Sequence, residues 1–67
     1  MATTQEKQGR KIQKLRKSIG YTQEELAEKL NISRTHMGHI EQGRKSPSIK
    51  LMDKLARALK VKVPDLF

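Results

Sequence analysis

The sequence contains no cysteine and no tryptophan, and its two aromatic residues, Tyr21 and Phe67, lie far apart. Without cysteine, the chain can form neither a disulfide nor a thiolate metal site. Proteins that bind single-stranded nucleic acid stack bases on aromatic side chains, and two distant aromatics do not supply such a platform. No apolar run approaches the roughly 18 residues that span a bilayer, and the first residues lack the apolar segment of a signal peptide. We therefore expect a cytoplasmic protein that does not associate with membranes.

Acidic residues are also scarce, with 7 Asp and Glu against 15 Lys and Arg, for a net charge of +8. A chain of 67 residues makes one domain at most, here residues 1–67. A charge this large on so small a body favours a polyanionic partner such as nucleic acid. Residues 1–21 carry six basic and one acidic side chain, whereas residues 22–32 carry one basic and three acidic ones. The body of this acidic segment should therefore stay clear of phosphates.

Apolar residues recur at helical spacing along the chain, and no segment alternates as a strand does. The sequence predicts an all-α fold, a compact bundle of five short helical segments. We expect residues 1–5 to be disordered. The predicted helices run from about Glu6 to Ile19, from Thr22 to Asn31, from Ser33 to Gly43, from Ser48 to about Leu59, and from Pro64 to Phe67.

The first and fourth helices each show an apolar stripe that predicts a core-facing side. In the first helix the stripe consists of Ile12, Leu15 and Ile19, and Gly20 should end the helix in a left-handed conformation. In the fourth helix Leu51 and Ala58 lie off the stripe and should be partly exposed. The predicted stripe of the fourth helix contains Ile49, Met52, Leu55, Ala56 and Leu59.

The second and third helices, about residues 22–41, read as a helical pair joined by a tight turn. Thr22 and Glu25 have the spacing of a capping box, Asn31 tolerates the left-handed turn, and Ser33 can cap the next helix. The third helix carries few apolar residues and an outward face without acidic side chains. Such a helix suits the major groove of DNA, although spacing alone would equally fit a generic helical hairpin. The outward face consists of Arg34, Thr35, Gly38, His39 and Gln42.

Metal binding and catalysis find little support in the sequence. His36 and His39 share a helix face, but no cysteine and no nearby third ligand completes a site. No nucleophile lies beside a base, and there is neither a carboxylate pair nor a glycine-rich phosphate loop. We therefore expect no metal, no cofactor and no enzymatic activity.

Taken in order, these motifs resemble the helix-turn-helix domain of the Cro and phage-repressor type, often called XRE, over roughly residues 9–67. The resemblance implies a lambda-repressor-like fold whose third helix reads the major groove. It also implies a homodimer that regulates transcription, as a repressor or small controller protein, at a palindromic operator in double-stranded DNA. The residues that carry it are Ile12, Arg16, Gly20, Thr22, Gln23, Leu26, Ala27, Ile32, Ser33, Ile40, Glu41, Gly43, Pro47, Ser48, Leu55, Ala56, Ala58, Leu59, Leu66 and Phe67.

The resemblance also assigns roles by position. Arg16 and Glu41 would form a buried ion pair that fixes the third helix, and Gln23 would contact a phosphate. Bases would be read from the third helix, with Arg34 first because its guanidinium can bind guanine in two places. The expected DNA-binding residues are Gln23, Arg34, Thr35, His36, Gly38, His39, Arg44 and Lys45. The expected dimer surface, unless its members simply close the core, is Leu51, Val61, Val63, Leu66 and Phe67.

Three other functions remain open at the level of sequence. The chain could be the DNA-binding part of a longer, ligand-sensing regulator. It could be an antitoxin, or another protein-interaction module, whose main partner is a protein such as a toxin. It could also be an RNA-binding helical domain, which the lack of aromatics disfavours.

Overall fold

The computed structural model describes residues 2–67, and Met1 lies outside the described part of the chain. Residues 2–67 contain four α-helices, one 3-10 helix and no strand, so the predicted all-helical fold is confirmed. The fifth predicted segment is a tight 3-10 turn rather than an α-helix. The elements are α1 (Thr4–Ile19), α2 (Gln23–Leu30), α3 (Arg34–Glu41), α4 (Ile49–Leu59) and a 3-10 helix (Val63–Leu66).

Helix α1 begins at Thr4, earlier than the start near Glu6 that the sequence predicts. Thr3 Oγ1 accepts a hydrogen bond from the Glu6 backbone at 3.1 Å, and the Thr3 backbone N–H donates to Glu6 Oε1 at 2.9 Å. This reciprocal capping box satisfies two free backbone donors and starts the helix at Thr4. The expected disorder of residues 1–5 is therefore wrong for Thr4 and Gln5, which are helical, while its first residue lies outside the described residues.

The helical pair has the local structure predicted for it. Thr22 and Glu25 form a second capping box, with hydrogen bonds of 2.9 and 3.0 Å. Asn31 ends α2 in a left-handed conformation with φ of 57°, and Ser33 Oγ accepts from the His36 backbone at 3.0 Å to begin α3. Helix α3 ends at Glu41, and Gly43, two residues later, adopts φ of 77°. Asn31 and Ser33, at the two ends of the turn between α2 and α3, thus fix where α2 ends and where α3 begins.

The core lies where α1, α2, α3 and α4 meet, and three predictions about its edges are wrong. Ile49 is 86% exposed and Ile19 is 36% exposed, whereas Leu51, expected outside, is buried. Apolar residues lie around more of α4 than the neighbouring elements can bury. The buried side of α4 is therefore turned toward Leu51 and away from Ile49. The buried apolar residues are Ile12, Leu26, Ala27, Leu30, Met37, Ile40, Leu51, Leu55, Ala56, Leu59 and Leu66.

The carboxy-terminal turn closes one end of this core. Lys60 ends α4 in a left-handed conformation, and Asp65 Oδ2 then accepts a hydrogen bond of 3.0 Å from the Lys62 backbone to begin the 3-10 helix. Leu66 is fully buried by this turn, while Phe67 remains 66% exposed. Leu51 and Leu66 are therefore part of the monomer core, which corrects their assignment to the dimer surface.

Candidate nucleic-acid interface

The outward face of α3 borders an open depression that also includes the start of α2 and the loop after α3. Arg34 and Thr35 are exposed on this face, whereas Met37 and Ile40 on the opposite face of α3 are fully buried. The depression contains six of the eight predicted DNA-binding residues, but not His36 or Lys45. Its lining residues are Gln23, Arg34, Thr35, Gly38, His39, Gln42 and Arg44, none of which is acidic.

A buried carboxylate holds α3 in place beneath this face. Glu41 Oε2 accepts a hydrogen bond of 2.6 Å from Arg16 Nε, and Glu41 Oε1 accepts one of 3.1 Å from Arg16 Nη2. This two-pronged geometry joins α1 to the end of α3, and both side chains are almost completely buried. The Arg16–Glu41 pair implied by the resemblance is thus present in the structure.

The same network extends to α2 and to the turn before it. Gln23 Nε2 donates to Glu41 Oε1 at 3.0 Å, and Arg16 Nη1 donates to the backbone oxygen of Tyr21 at 2.8 Å. Within the described residues, no buried side-chain nitrogen or oxygen lacks a hydrogen-bond partner. The cost of burying the two charges is therefore offset by complete pairing. Gln23 is held at the edge of the depression, with one amide hydrogen still available.

Gly9 and Gly43 allow α1 to approach the end of α3 and the residues after it closely. The sequence patterns assigned Gly9 no role, and they assigned Gly43 only the role of ending α3. A Cβ placed on Gly9 would lie 2.4 Å from the backbone oxygen of Glu41, which is too close for any side chain. A Cβ on Gly43 would lie 2.6 Å from the Cα of Glu6. Glycine inside a helix is unfavourable on its own, and this was the one available signal that Gly9 has a special role.

One basic residue of α1 lies beside the interface. Arg10 borders a second hollow with Gln13 of α1, and this hollow shares Gln23 and Gln42 with the depression on α3. Lys11, Lys14 and Lys17 border neither hollow, although all are exposed. The sequence could not decide which basic residues of α1 face the interface, and the structure favours Arg10.

Two glutamates, Glu6 and Glu25, are hydrogen-bonded in helix caps, whereas Glu24 and Glu28 border a further hollow that includes Arg34. Hydrogen bonds from the Thr3 backbone and side chain lower the pKa of Glu6. Hydrogen bonds from the Thr22 backbone and side chain likewise lower the pKa of Glu25. The two caps therefore favour the ionised form of both carboxylates.

Residues 2–67 contain no group of three or more His, Asp or Glu side chains placed to hold a metal ion. No helix in this part of the chain is long and apolar enough to cross a membrane.

Comparison with known proteins identifies the family. A family model described as helix-turn-helix matches residues 12–66, which is most of the chain. The chain belongs to this helix-turn-helix family. The assignment made from sequence motifs to the Cro and phage-repressor type is confirmed. The family and its named relatives are transcriptional regulators rather than enzymes.

Three members of the helix-turn-helix group illustrate the similarity. A helix-turn-helix-type transcriptional regulator of Archaeoglobus fulgidus is 39% identical over 57 residues, covering 85% of this chain and 81% of the relative. The restriction-modification controller protein C.AhdI from Aeromonas hydrophila has a TM-score of 0.88 at 34% identity, with 92% of this chain and 94% of that one covered. The biofilm master regulator SinR, solved in complex with DNA, has a TM-score of 0.81 at 35% identity, with 88% and 98% covered.

Proposed function

We propose that this protein is a sequence-specific regulator of transcription that binds double-stranded DNA in the cytoplasm. The observation that carries the proposal is the depression on α3, where basic and polar side chains surround a helix that is anchored only from its inner face. A helix held in this way can enter the major groove without losing its packing. The relative SinR is bound to DNA in its solved structure, which supports the same activity here.

The residues divide into those that position the protein and those that read the sequence. Arg44, the α2 amino terminus at Gln23, and Arg10 would contact phosphates on either side of α3. Arg34 would read guanine, and Thr35 and His39 would contact neighbouring bases. Lys45 and His36 lie outside the depression and would make flanking phosphate contacts.

We further propose that the protein acts as a homodimer on an inverted repeat. The α3 helix of each protomer would be its recognition helix, the helix that enters the major groove. The two recognition helices would bind half-sites about 34 Å apart on the same face of the DNA. The exposed Phe67, together with the half-buried Val61 and Val63, remains the candidate dimer surface. Leu51 and Leu66 do not belong to it because the monomer core already contains them.

The likeness to C.AhdI favours one subclass of regulator. C.AhdI is a restriction-modification controller protein, and its fold matches this chain with a TM-score of 0.88. A small controller protein that represses or activates a nearby gene is therefore the second, narrower candidate. The antitoxin alternative lacks a specific supporting observation.

The test is selection of binding sites from a random pool of duplex DNA at moderate salt. Wild type should enrich an inverted repeat, and Arg34→Ala should lose or relax it at the position that Arg34 reads. Lys54→Ala is the matched control, because it removes an equal charge from an exposed residue of α4 outside the depression. Equal, salt-sensitive binding by all three proteins without an enriched motif would overturn the proposal and direct attention to a protein partner.

A further inference from the structure

The glycines of this chain are explained by its own fold at three of their four positions. Gly20 and Gly43 adopt the left-handed conformations at φ of 92° and 77° that favour glycine. Gly9 lies where two helices touch, and a Cβ there would lie 2.4 Å from a backbone oxygen. At these three positions, the protein's own geometry requires glycine.

Gly38 is the exception. It lies inside the right-handed helix α3, and a Cβ placed on it would find only Gln23 Oε1, at 4.0 Å. Alanine would therefore fit without displacing any atom of the protein, and alanine is more favourable than glycine in a helix interior. The fold therefore does not require glycine at position 38, and Gly38 lies on the face of α3 that lines the depression.

The missing side chain leaves an apolar gap in the middle of an otherwise polar surface. Arg34 lies about one turn before Gly38, and Gln42 about one turn after it. Thr35, three residues before Gly38, shares its face and adds a methyl group. The Gly38 backbone oxygen is already bonded to the Gln42 backbone N–H at 3.0 Å. The Cα hydrogens of Gly38 would therefore be the surface that a ligand in the depression meets.

This chemistry selects among the groups that DNA presents in the major groove. The polar atoms of base edges would be left without hydrogen-bond partners against the Cα of Gly38, and unpaired polar groups are costly. The C5 methyl group of thymine is the apolar group on these edges. This methyl group makes no hydrogen bonds, so its contact with the Cα of Gly38 leaves no polar atom unpaired.

We propose that Gly38 determines specificity, and that the gap left by its absent side chain receives the C5 methyl group of a thymine. The inference rests on the proposed function and names a base that the recognition helix reads. It also explains why α3 contains a glycine although glycine destabilises a helix, because the glycine lets the α3 backbone approach this methyl group closely.

The experiment replaces each thymine of the selected operator in turn with deoxyuridine, which removes only the methyl group. Binding of wild type and of Gly38→Ala is measured by fluorescence anisotropy on each duplex. At one thymine in each half-site, wild type should bind roughly fourfold to tenfold more weakly to the uracil duplex, as expected for loss of one buried methyl group. Gly38→Ala should bind the thymine duplex more weakly by a similar factor and should not distinguish thymine from uracil there.

Three outcomes would overturn the inference. The first is that no uracil substitution weakens binding of wild type to the operator by more than about twofold. The second is that the operator has no thymine opposite α3, and the third is that Gly38→Ala binds as tightly as wild type and still prefers thymine. Thermal melting serves as the control, because Gly38→Ala should melt no lower than wild type, and a lower melting temperature would contradict the premise that the fold does not need this glycine. An operator that is read through Arg34 but is insensitive to uracil would overturn this inference alone. Failure to select any operator would overturn the proposed function as well.

Discussion

Arg16 and Glu41 form a buried, two-pronged ion pair, with 2.6 Å between Arg16 Nε and Glu41 Oε2 and 3.1 Å between Arg16 Nη2 and Glu41 Oε1. The two residues are 25 positions apart in sequence and belong to α1 and α3. The pair therefore links α3 to α1, the longest helix of the fold.

Removal of one partner should be far more damaging than removal of both. We expect Glu41→Ala to lower the free energy of unfolding by about 3–5 kcal/mol, because it leaves the Arg16 charge buried without a counterion. The double variant Arg16→Met with Glu41→Leu should retain more stability, since it buries no charge. Urea unfolding followed by circular dichroism measures both variants. A Glu41→Ala protein within about 1 kcal/mol of wild type would contradict a tightly coupled buried pair.

The salt dependence of DNA binding should identify Arg44 as a phosphate contact. Arg44→Ala should reduce the slope of log affinity against log salt by about 0.9, the value for loss of one released counterion. It should weaken binding to operator and to random DNA by similar factors. Lys54→Ala, which changes the net charge equally from outside the depression, should leave the slope almost unchanged. Equal slope changes in the two variants would indicate that only the overall charge matters.

The candidate dimer surface can be tested separately from folding. Phe67→Ser should shift the protein toward monomer in sedimentation equilibrium and weaken binding to the inverted repeat more than to an isolated half-site. Its free energy of unfolding per monomer should change by less than about 0.5 kcal/mol, because the side chain is 66% exposed. Leu66→Ser is the contrasting variant, since Leu66 is fully buried and its loss should unfold the domain. An unchanged oligomeric state in Phe67→Ser would place the dimer surface elsewhere.

The capping boxes should make the fold sensitive to acid. The pKa of Glu25 is below its ordinary value of 4.5 because the Thr22 backbone and side chain hydrogen-bond to its ionised form. Because the pKa is lower in the folded than in the unfolded state, the stabilisation is complete above pH 4.5 and is lost as pH falls through the lowered value. Below about pH 4.5, the melting temperature of Glu25→Gln should depend less on pH than that of wild type. Near neutral pH, the substitution should not change the pH dependence. Thermal melts of both proteins across the acid range test this, and identical acid dependence would argue against the cap.

The parts of the fold that could be predicted from sequence depend on residues close together in the chain. Thr22 and Glu25 satisfy each other's backbone donors within one turn, and Asn31 supplies its own left-handed conformation. Such features need no knowledge of the neighbouring helices. The Thr3–Glu6 box follows the same rule, because its two residues also lie three positions apart in the chain.

The errors concern burial, which distant residues decide. Ile49 and Leu51 are equally apolar and two positions apart, and only the placement of the neighbouring elements determines that Leu51 is covered while Ile49 is not. Gly9 and Gly38 likewise cannot be distinguished by local sequence, since both are glycines inside helices. Their different roles become visible only when the nearest atoms of other elements are known.

The recognition helix combines two independent sets of side chains in only eight residues. Met37, Ile40 and Glu41 attach it to the domain, whereas Arg34 and Thr35 make no side-chain hydrogen bond within the described residues. The outward positions can therefore be exchanged for those of another regulator without disturbing the support underneath. This separation makes the domain a suitable scaffold for engineering new operator preferences, and it allows binding specificity to diverge faster than the fold.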